Sequence, residues 1–224
     1  MIGAILALLF GPALWVRWAI WSNSANVPEL PGTGGELAMH LLQRFDIGDV
    51  TVEACAPRGD HYDPVAKAVR LSPTVFAGKS LAAVAIAAHE VGHAIQHARG
   101  DASLALRSKL APSVDRLAKI SVLAIGIAPL AGLLFRHPVP FSFIAGLGLL
   151  GMIARVALHL VTLPIEVDAS FNKALPILIS GDYISAEQVP AVKQVLRSAA
   201  FTYVAAALAD VLNLARWAAI LLRR

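Results

Sequence analysis

The chain has 224 residues, of which 57% are hydrophobic and only 15% are Asp, Glu, Lys or Arg. Because soluble domains average about 25% of such charged residues, this composition predicts a membrane protein. The net charge of +4 comes without a dense basic run, which argues against nucleic-acid binding, and the single cysteine, Cys55, excludes both an internal disulfide and a four-cysteine metal site.

Four apolar stretches approach the length of about 20 residues that a helix needs to cross a bilayer. They occupy residues 1–21, 117–135, 141–163 and 199–222. The first lacks the basic start of a signal peptide and is interrupted by Arg17, so we expect a retained anchor. Trp15, Trp18 and Trp21 are typical of an interfacial belt at its far end. The short connection "RHPVP" predicts that the second and third stretches form an antiparallel hairpin.

The region between the first two apolar stretches has the patterns of a small mixed fold. An amphipathic helix is predicted from about Gly35, and "VTVEAC" and "KAVRLS" are predicted strands with the turn "PRGDHY" between them. Residues 80–98 predict a helix that Ser80 caps and Gly100 ends. A further amphipathic helix, residues 101–116, leads into the second apolar stretch.

The predicted helix ends in "AAHEVGHAIQHA", residues 87–98, where an apolar run meets several titratable side chains. His89 and His93 are one helical turn apart, so they project from one face and can share a metal ion. Neutral imidazoles suit Zn²⁺, and HExxH on a helix is the arrangement of zinc metalloproteases. Glu90, beside the first ligand, can act as the general base that takes a proton from a zinc-bound water. Gly92 leaves room for another backbone to approach the helix closely.

A catalytic zinc site needs a third protein ligand and an open fourth position. The best candidates lie just after the third apolar stretch, in "TLPIEVDASFNKAL", where Pro164 suits a kink or a fresh helix start. On a helix Glu166 and Ser170 share a face, whereas Asp168 points about 200° away from Glu166. We therefore expect Glu166 to be the ligand, with Asp168 as the alternative. The acid that is not a ligand, together with Ser170, could support the ligands from behind.

Three further side chains could serve the site. The favoured interpretation of His97 is an exposed residue at the helix end, stabilised by the helix dipole. An extra metal ligand, or a hydrogen-bonding partner of a ligand, is the alternative for His97. In "DHYDP", His61 or Tyr62 could donate a hydrogen bond to the developing oxyanion. A structural turn, in which Asp60 and Asp63 cap backbone amides, is the favoured interpretation of that stretch.

Five motifs carry a resemblance to a known family. They are "DHYDP" at 60–64, "VRLS" at 69–72, "AAHEVGHAIQHA" at 87–98, "LPIEVDAS" at 163–170 and "TYVAAAL" at 202–208. In this order they resemble the neutral zinc metallopeptidases of the YugP type, bacterial membrane proteins, from about Gly32 to the last apolar stretch. The resemblance implies a gluzincin-like site with one Zn²⁺ held by His89, His93 and Glu166. It also implies that Glu90 is the base and that the protein is a multipass membrane protein.

The motifs together favour a membrane-bound zinc endopeptidase that hydrolyses peptides or membrane-protein segments near the bilayer surface. In metallopeptidases of this kind a strand edge beside the metal holds the substrate backbone, and residues 67–72 are placed to supply it. One alternative is a site-2-type intramembrane protease, but its later N-x-D-G or L-D-G motif does not occur here. The other is a non-catalytic zinc-binding membrane module, which would not need Glu90.

A transporter is a weaker hypothesis. Asp210, Asn213 and Arg216 lie one turn apart along the last apolar stretch and could line a path. Polar groups at membrane depth normally face the protein interior, so one internally paired face in a helix bundle explains these residues more simply.

We therefore predict a mainly α-helical membrane protein with about four transmembrane helices and a small α+β zincin-like region at the membrane surface. The predicted segments are an anchor (1–21), the zincin-like domain (22–116), a transmembrane hairpin (117–163), a surface segment with the third ligand (164–198) and a C-terminal transmembrane helix (199–224). The expected partners are the lipid bilayer and a peptide or membrane-protein substrate. The basic residues near the span ends favour the cytoplasmic face of the cell (inner) membrane for the site.

Overall fold

Helices dominate the protein, and three short strands form one sheet. The computed structural model describes residues 2–135 and 138–222, and it describes only the backbone for residues 2–10, 128–129, 131–133, 135, 138–140, 218 and 220–222. The chain divides into two compact units. The first comprises Met1–Ala105 and Pro164–Thr202, and the second comprises Leu106–Leu163 and Tyr203–Arg224.

The elements follow the sequence patterns closely. The helices are α1 (Ile2–Ser22), α2 (Gly34–Arg44), α3 (Pro73–Phe76), α4 (Leu81–Ala98), α5 (Ala102–Phe135), α6 (Pro138–Val167), α7 (Leu175–Ser180) and α8 (Val189–Leu222). The strands are β1 (Thr51–Ala54), β2 (His61–Asp63) and β3 (Ala68–Leu71), and a π-helical segment covers Asp168–Ala174. The helices predicted from Gly35 and over 80–98 are confirmed, as are the strands predicted within 50–55 and 67–72.

Both ends of α4 are formed by the residues that the sequence indicates. The Ser80 hydroxyl accepts a hydrogen bond from the Ala83 amide at 3.1 Å, which caps the start of the helix. At the other end Gly100 has a left-handed φ of 68°. The amides of Gly100 and Asp101 donate to the carbonyls of His97 and Gln96, which is the pattern of a Schellman motif. These caps set the length over which the histidines keep helical spacing.

The sheet corrects the expectation that residues 67–72 form an edge. The strand order is β1-β3-β2, so β3 is the central strand, parallel to β1 and antiparallel to β2. Its backbone is paired on both sides and cannot add a substrate strand. The turn predicted over "PRGDHY" is wrong for His61 and Tyr62, which begin β2. A three-residue strand has too few residues to show a periodic pattern, and β2 forms because β3 is available to pair with it.

The helix that carries Glu166 differs in detail from the prediction. Neither a break nor a fresh helix begins at Pro164, which lies inside α6. The change of geometry comes four residues later, where α6 passes into the π-helical segment Asp168–Ala174. Such segments are rare and occur frequently at functional sites. Here it begins two residues after the predicted third ligand.

Two helical stretches are long and apolar enough to cross a membrane, Phe141–Ser180 and Val189–Trp217, rather than the four predicted. Only 28% and 22% of their most apolar windows are buried, whereas the core helix of a soluble protein would be mostly buried. In the other two predicted spans, residues 2–21 and 117–135 are helical, but each span includes side chains that lie outside the described residues. By length and composition, the described residues therefore hold two candidate spans.

Polar side chains of the second unit pair with one another. The Asp210 carboxylate lies 3.0 Å from Nε of Arg155 and 3.1 Å from Nε2 of His159. Asp210 is on α8 and its two partners are on α6, so the contacts join two helices within this unit. The expected pairing is confirmed for Asp210, whereas Asn213 and Arg216, predicted to share its paired face, are exposed.

Candidate metal centre

Three buried side chains converge at one point of the first unit. His89 and His93 come from α4, and Glu166 comes from the last turn of α6. Nε2 of His89 lies 3.2 Å from Nε2 of His93 and 3.2 Å from Oε2 of Glu166. The third edge of the triangle, from His93 Nε2 to the same carboxylate oxygen, is 3.4 Å. Among the described residues, these three form the one group of His, Cys, Asp or Glu side chains close enough to hold a metal ion.

The triangle fits a zinc ion. Tetrahedral Zn²⁺ with His and carboxylate ligands at about 2.0–2.1 Å requires ligand atoms about 3.3 Å apart, and the three measured edges are 3.2 to 3.4 Å. The ligand set of two imidazoles and one carboxylate is that of catalytic zinc sites, which keep a fourth position open.

Hydrogen bonds behind the imidazoles aim their Nε2 lone pairs at the centre of the triangle. His89 Nδ1 lies 3.0 Å from the Ser170 hydroxyl, which can itself donate to the Leu196 carbonyl at 3.4 Å. His93 Nδ1 lies 2.9 Å from the Gln96 side-chain carbonyl, which can only accept. Both protons therefore belong on Nδ1, and neutral imidazoles turn two lone pairs towards the Glu166 carboxylate. That arrangement attracts a cation.

The electrostatics of the centre also favour a bound cation. Burial lowers the pKa of His93, but the hydrogen bond and the negative charge of Glu166 raise it more, so its net shift is upward. The same negative charge that favours a proton on His93 also favours a bound cation. Protons and metal ions therefore compete for the same lone pair.

Gln96 connects the histidine helix to the segment that follows Glu166. Its side-chain amide nitrogen donates to the Ile165 carbonyl at 3.0 Å and to the Asp168 carboxylate at 2.8 Å. Asp168 is thus no member of the triangle, and it also contacts Lys173 and Asn172. Although Asp168 is turned away from Glu166, the long Gln96 side chain reaches it. Asp168 and Ser170 were predicted from sequence, but Gln96 was not, because its only signal is its position three residues after His93.

Gly92 allows the two halves of the centre to meet. A Cβ atom at this position would lie 2.8 Å from the carbonyl oxygen and 3.3 Å from the Cα of Ala169, which is closer than packed atoms approach. The predicted close approach of another backbone at Gly92 is confirmed, and that backbone is the π-helical segment. The contact brings Ser170 within reach of His89.

Glu90 lies beside the triangle without being part of it. It follows His89 on α4, and only 8% of its surface is exposed. Throughout the part of the chain that the structure describes, the Glu90 carboxylate has no hydrogen-bond or ion-pair partner. Although most of the residue is buried, its carboxylate oxygens reach the surface, so the group is available to a water molecule or a substrate.

The other three predicted site residues lie apart from the triangle. His97 is half-buried rather than exposed, and its Nδ1 lies 2.7 Å from the Tyr62 hydroxyl. Burial, followed by the charges of Asp49 and Asp63, raises the pKa of Tyr62 to about 12, so the phenol keeps its proton. The exposed His61 contacts the Gly59 carbonyl through Nδ1 at 2.6 Å. An oxyanion role for His61 or Tyr62 stays a prediction.

Comparison with known proteins agrees with this centre. The family model described as "Putative neutral zinc metallopeptidase" matches residues 1–222. The chain belongs to this family. It is also 37% identical, over 95% of its own length and 92% of the relative's, to a Bacillus subtilis (strain 168) protein named "Putative membrane protease YugP". No solved structure matches the chain.

Membership of the zinc metallopeptidase family fits the residues of the centre. The family's name specifies zinc, and the structure supplies the buried His89–His93–Glu166 group that could bind a metal. The resemblance derived from the five sequence motifs is therefore confirmed.

Proposed function

We propose that this protein is a membrane-bound zinc-dependent endopeptidase. The single observation that carries the proposal is the buried triangle of His89, His93 and Glu166 with the partnerless Glu90 carboxylate next to it. A structural zinc site needs four protein ligands and no adjacent base. Three ligands with a buried carboxylate beside them favour hydrolysis over a non-catalytic role.

The chemistry divides between the metal and the protein side chains. When bound, zinc supplies a Lewis acid that polarises the scissile carbonyl and makes water more acidic. Glu90 accepts a proton from the attacking water, whose oxygen bonds to the carbonyl carbon. As the C–N bond breaks, Glu90 delivers that proton to the leaving amine. The products are a new carboxyl terminus and a new amino terminus.

The helix that carries His89 and His93 lies outside the two candidate spans, and Glu166 lies in the second half of the first one, Phe141–Ser180. Every residue of α4 from Ala82 to Gln96 is buried except Ile86, so protein surrounds this helix. These observations support a site at the membrane surface rather than the site-2-type intramembrane alternative. Substrates are then peptides or unfolded segments of membrane proteins close to the bilayer.

The membrane arrangement is part of the proposal. Because α4 and Glu166 meet within the first unit, the three ligands lie on one side of the membrane. The relative named a membrane protease, together with the two candidate spans, supports a membrane location. We assign the site to the cytoplasmic face of the cell membrane, because basic residues near the span ends favour that side.

The test compares three purified, full-length proteins in detergent: wild type, Glu90→Gln and Glu166→Ala. We expect wild type to bind one zinc per chain and to hydrolyse unfolded fluorescent casein. Glu90→Gln should keep the zinc and lose at least about 100-fold in rate, the scale of a general base. Glu166→Ala should lose both zinc affinity and hydrolysis.

The matched control is Glu29→Gln, which removes a carboxylate from an exposed loop. It should leave zinc content and rate unchanged. Full hydrolysis by Glu90→Gln, or zinc binding unaffected by Glu166→Ala, would contradict the proposed function.

A further inference from the structure

A cleft of about 700 Å³ lies in the first unit and has no part in the chemistry described above. One wall is the end of α1, and the others come from the loop before β2, the start of α3 and α4. Its lining includes Val16, Trp18, Ile20, Asp60, Ser72 and Ile86. Most of the lining is apolar, as is usual for sites that take a small ligand or a side chain, and Arg17 and Arg58 also line it.

The α4 residue that lines the cleft, Ile86, lies on the helix face that carries the candidate metal centre. Ile86 precedes His89, Glu90 and His93 by three, four and seven residues, which is the spacing of one helix face. From Ala82 to Gln96, a range that the structure describes completely, Ile86 alone is not buried. Ile86 therefore connects the cleft to the face of α4 that presents the ligands and the base.

Hydrogen bonds hold the walls of the cleft in place. The Asp60 carboxylate accepts from the Ser72 amide at 2.7 Å and from its hydroxyl at 3.0 Å, which ties the loop before β2 to the start of α3. The carbonyl of Asn23, just after α1, accepts from the Ala82 amide at 2.9 Å. These bonds place the end of α1 against the start of α4, so the cleft is part of the fold.

We propose that this cleft, formed jointly by α1 and the Ile86 face of α4, binds a bulky apolar side chain of the substrate next to the scissile bond. The proposal rests on the proposed function and makes it more specific. The N-terminal helix is then part of the specificity site as well as an anchor. Trp18 is 52% exposed and Trp21 is 76% exposed, as expected of a helix end at a membrane interface, so the bound side chain enters from that level.

The test measures selectivity with quenched fluorescent peptides that differ only at one residue beside the scissile bond: Ala, Leu or Phe. We expect wild type to prefer Leu or Phe over Ala by at least about tenfold in kcat/KM, the scale of an apolar side chain in a pocket. Val16→Phe narrows the cleft and should lower the Leu-to-Ala ratio by about tenfold. Ile86→Ala enlarges it and should raise the Phe-to-Leu ratio.

The matched control is Leu14→Phe, which makes the same kind of change on α1 at a residue that is 60% exposed and does not line the cleft. It should leave both ratios unchanged. Zinc content and thermal unfolding of each variant show that it is folded, and Ile86→Ala gives a second readout if Val16→Phe does not fold.

The outcomes separate the two proposals. If wild type hydrolyses the peptides without an apolar preference, the proposed role of the cleft is wrong and the proposed peptidase function stands. The same holds if the Val16 and Ile86 variants leave the selectivity ratios unchanged. Zinc-loaded wild type that hydrolyses none of the peptides, nor casein, would overturn the proposed function and the cleft with it.

Discussion

At the scale of single residues, the centre depends on atoms behind the ligands as much as on the ligands. Ser170 and Gln96 each hold the Nδ1 side of one imidazole, so both Nε2 atoms face Glu166. Gln96 alone also ties α4 to the Ile165 carbonyl and to Asp168. Replacing such partners of a ligand typically weakens metal binding by about 10–100-fold.

Gln96→Ala should therefore weaken zinc binding by about 10–100-fold while leaving all three ligands in place. Competition with a chromogenic chelator measures the affinity. The matched control is Gln43→Ala, on the exposed side of α2, which should bind zinc as wild type does. An unchanged affinity in Gln96→Ala would contradict the role assigned to this amide.

The contact between Tyr62 and His97 should affect the stability of the fold and not its zinc binding. Tyr62→Phe removes a half-buried hydrogen bond and should lower the free energy of unfolding by about 1 kcal/mol. Zinc content should stay that of wild type, because His97 is not among the clustered ligands. A loss of zinc in this variant would show that His97 belongs to the centre.

The pH dependence of that difference has a definite sign. The folded pKa of Tyr62 is raised to about 12, whereas an unfolded tyrosine titrates near about 10. The stabilisation is therefore complete below about pH 10 and is lost as the pH rises through 12. Unfolding midpoints of wild type and Tyr62→Phe, compared from pH 7 to 11, should converge only above pH 10.

At the scale of elements, the centre forms where α4 meets the π-helical segment. Gly92 permits this contact, and the wider turn of the segment begins two residues after Glu166. Gly92 is thus a packing residue, although glycine inside a helix costs about 1 kcal/mol relative to alanine. The close approach offsets that cost by bringing the partners of the ligands into place.

Gly92→Ala should destabilise the protein by about 1–3 kcal/mol, because its Cβ would meet the Ala169 backbone and one of the two helices must shift. The same shift should weaken zinc binding. Gly146→Ala is the matched control: it is also a helical glycine, but a Cβ there meets nothing within 4 Å. Thermal unfolding and chelator competition measure both effects, and a more stable Gly92→Ala would contradict this account.

At the scale of the whole molecule, the two units contain different kinds of polar cluster. The first holds the metal ligands, and the second holds the contacts of Asp210 with Arg155 and His159. Asp210, Arg155 and His159 lie in the two candidate spans, where an unpaired charge is costly. We interpret this second cluster as structural, because the Asp210 carboxylate is matched by the two basic side chains it contacts.

Asp210→Ala should lower the thermal midpoint of the protein in detergent, because it leaves Arg155 and His159 without their carboxylate. Zinc affinity should not change, since every ligand belongs to the first unit. Asp115→Ala, on α5 of the same unit, is the control and should match wild type. An equal loss of zinc and stability in Asp210→Ala would contradict a separate structural role.

The sequence by itself determined the elements and the candidates that depend on local spacing. Helical periodicity placed His89 and His93 on one face, Ser80 and Gly100 delimited α4, and the composition indicated a membrane protein. Such signals are readable because they act between residues within one or two turns of each other.

Only the tertiary structure decided which distant groups meet. It made β3 the central strand, brought Gln96 to Asp168, and placed α1 beside Ile86. No local pattern predicts these contacts, because strand order and side-chain partners depend on how elements far apart in the chain pack together.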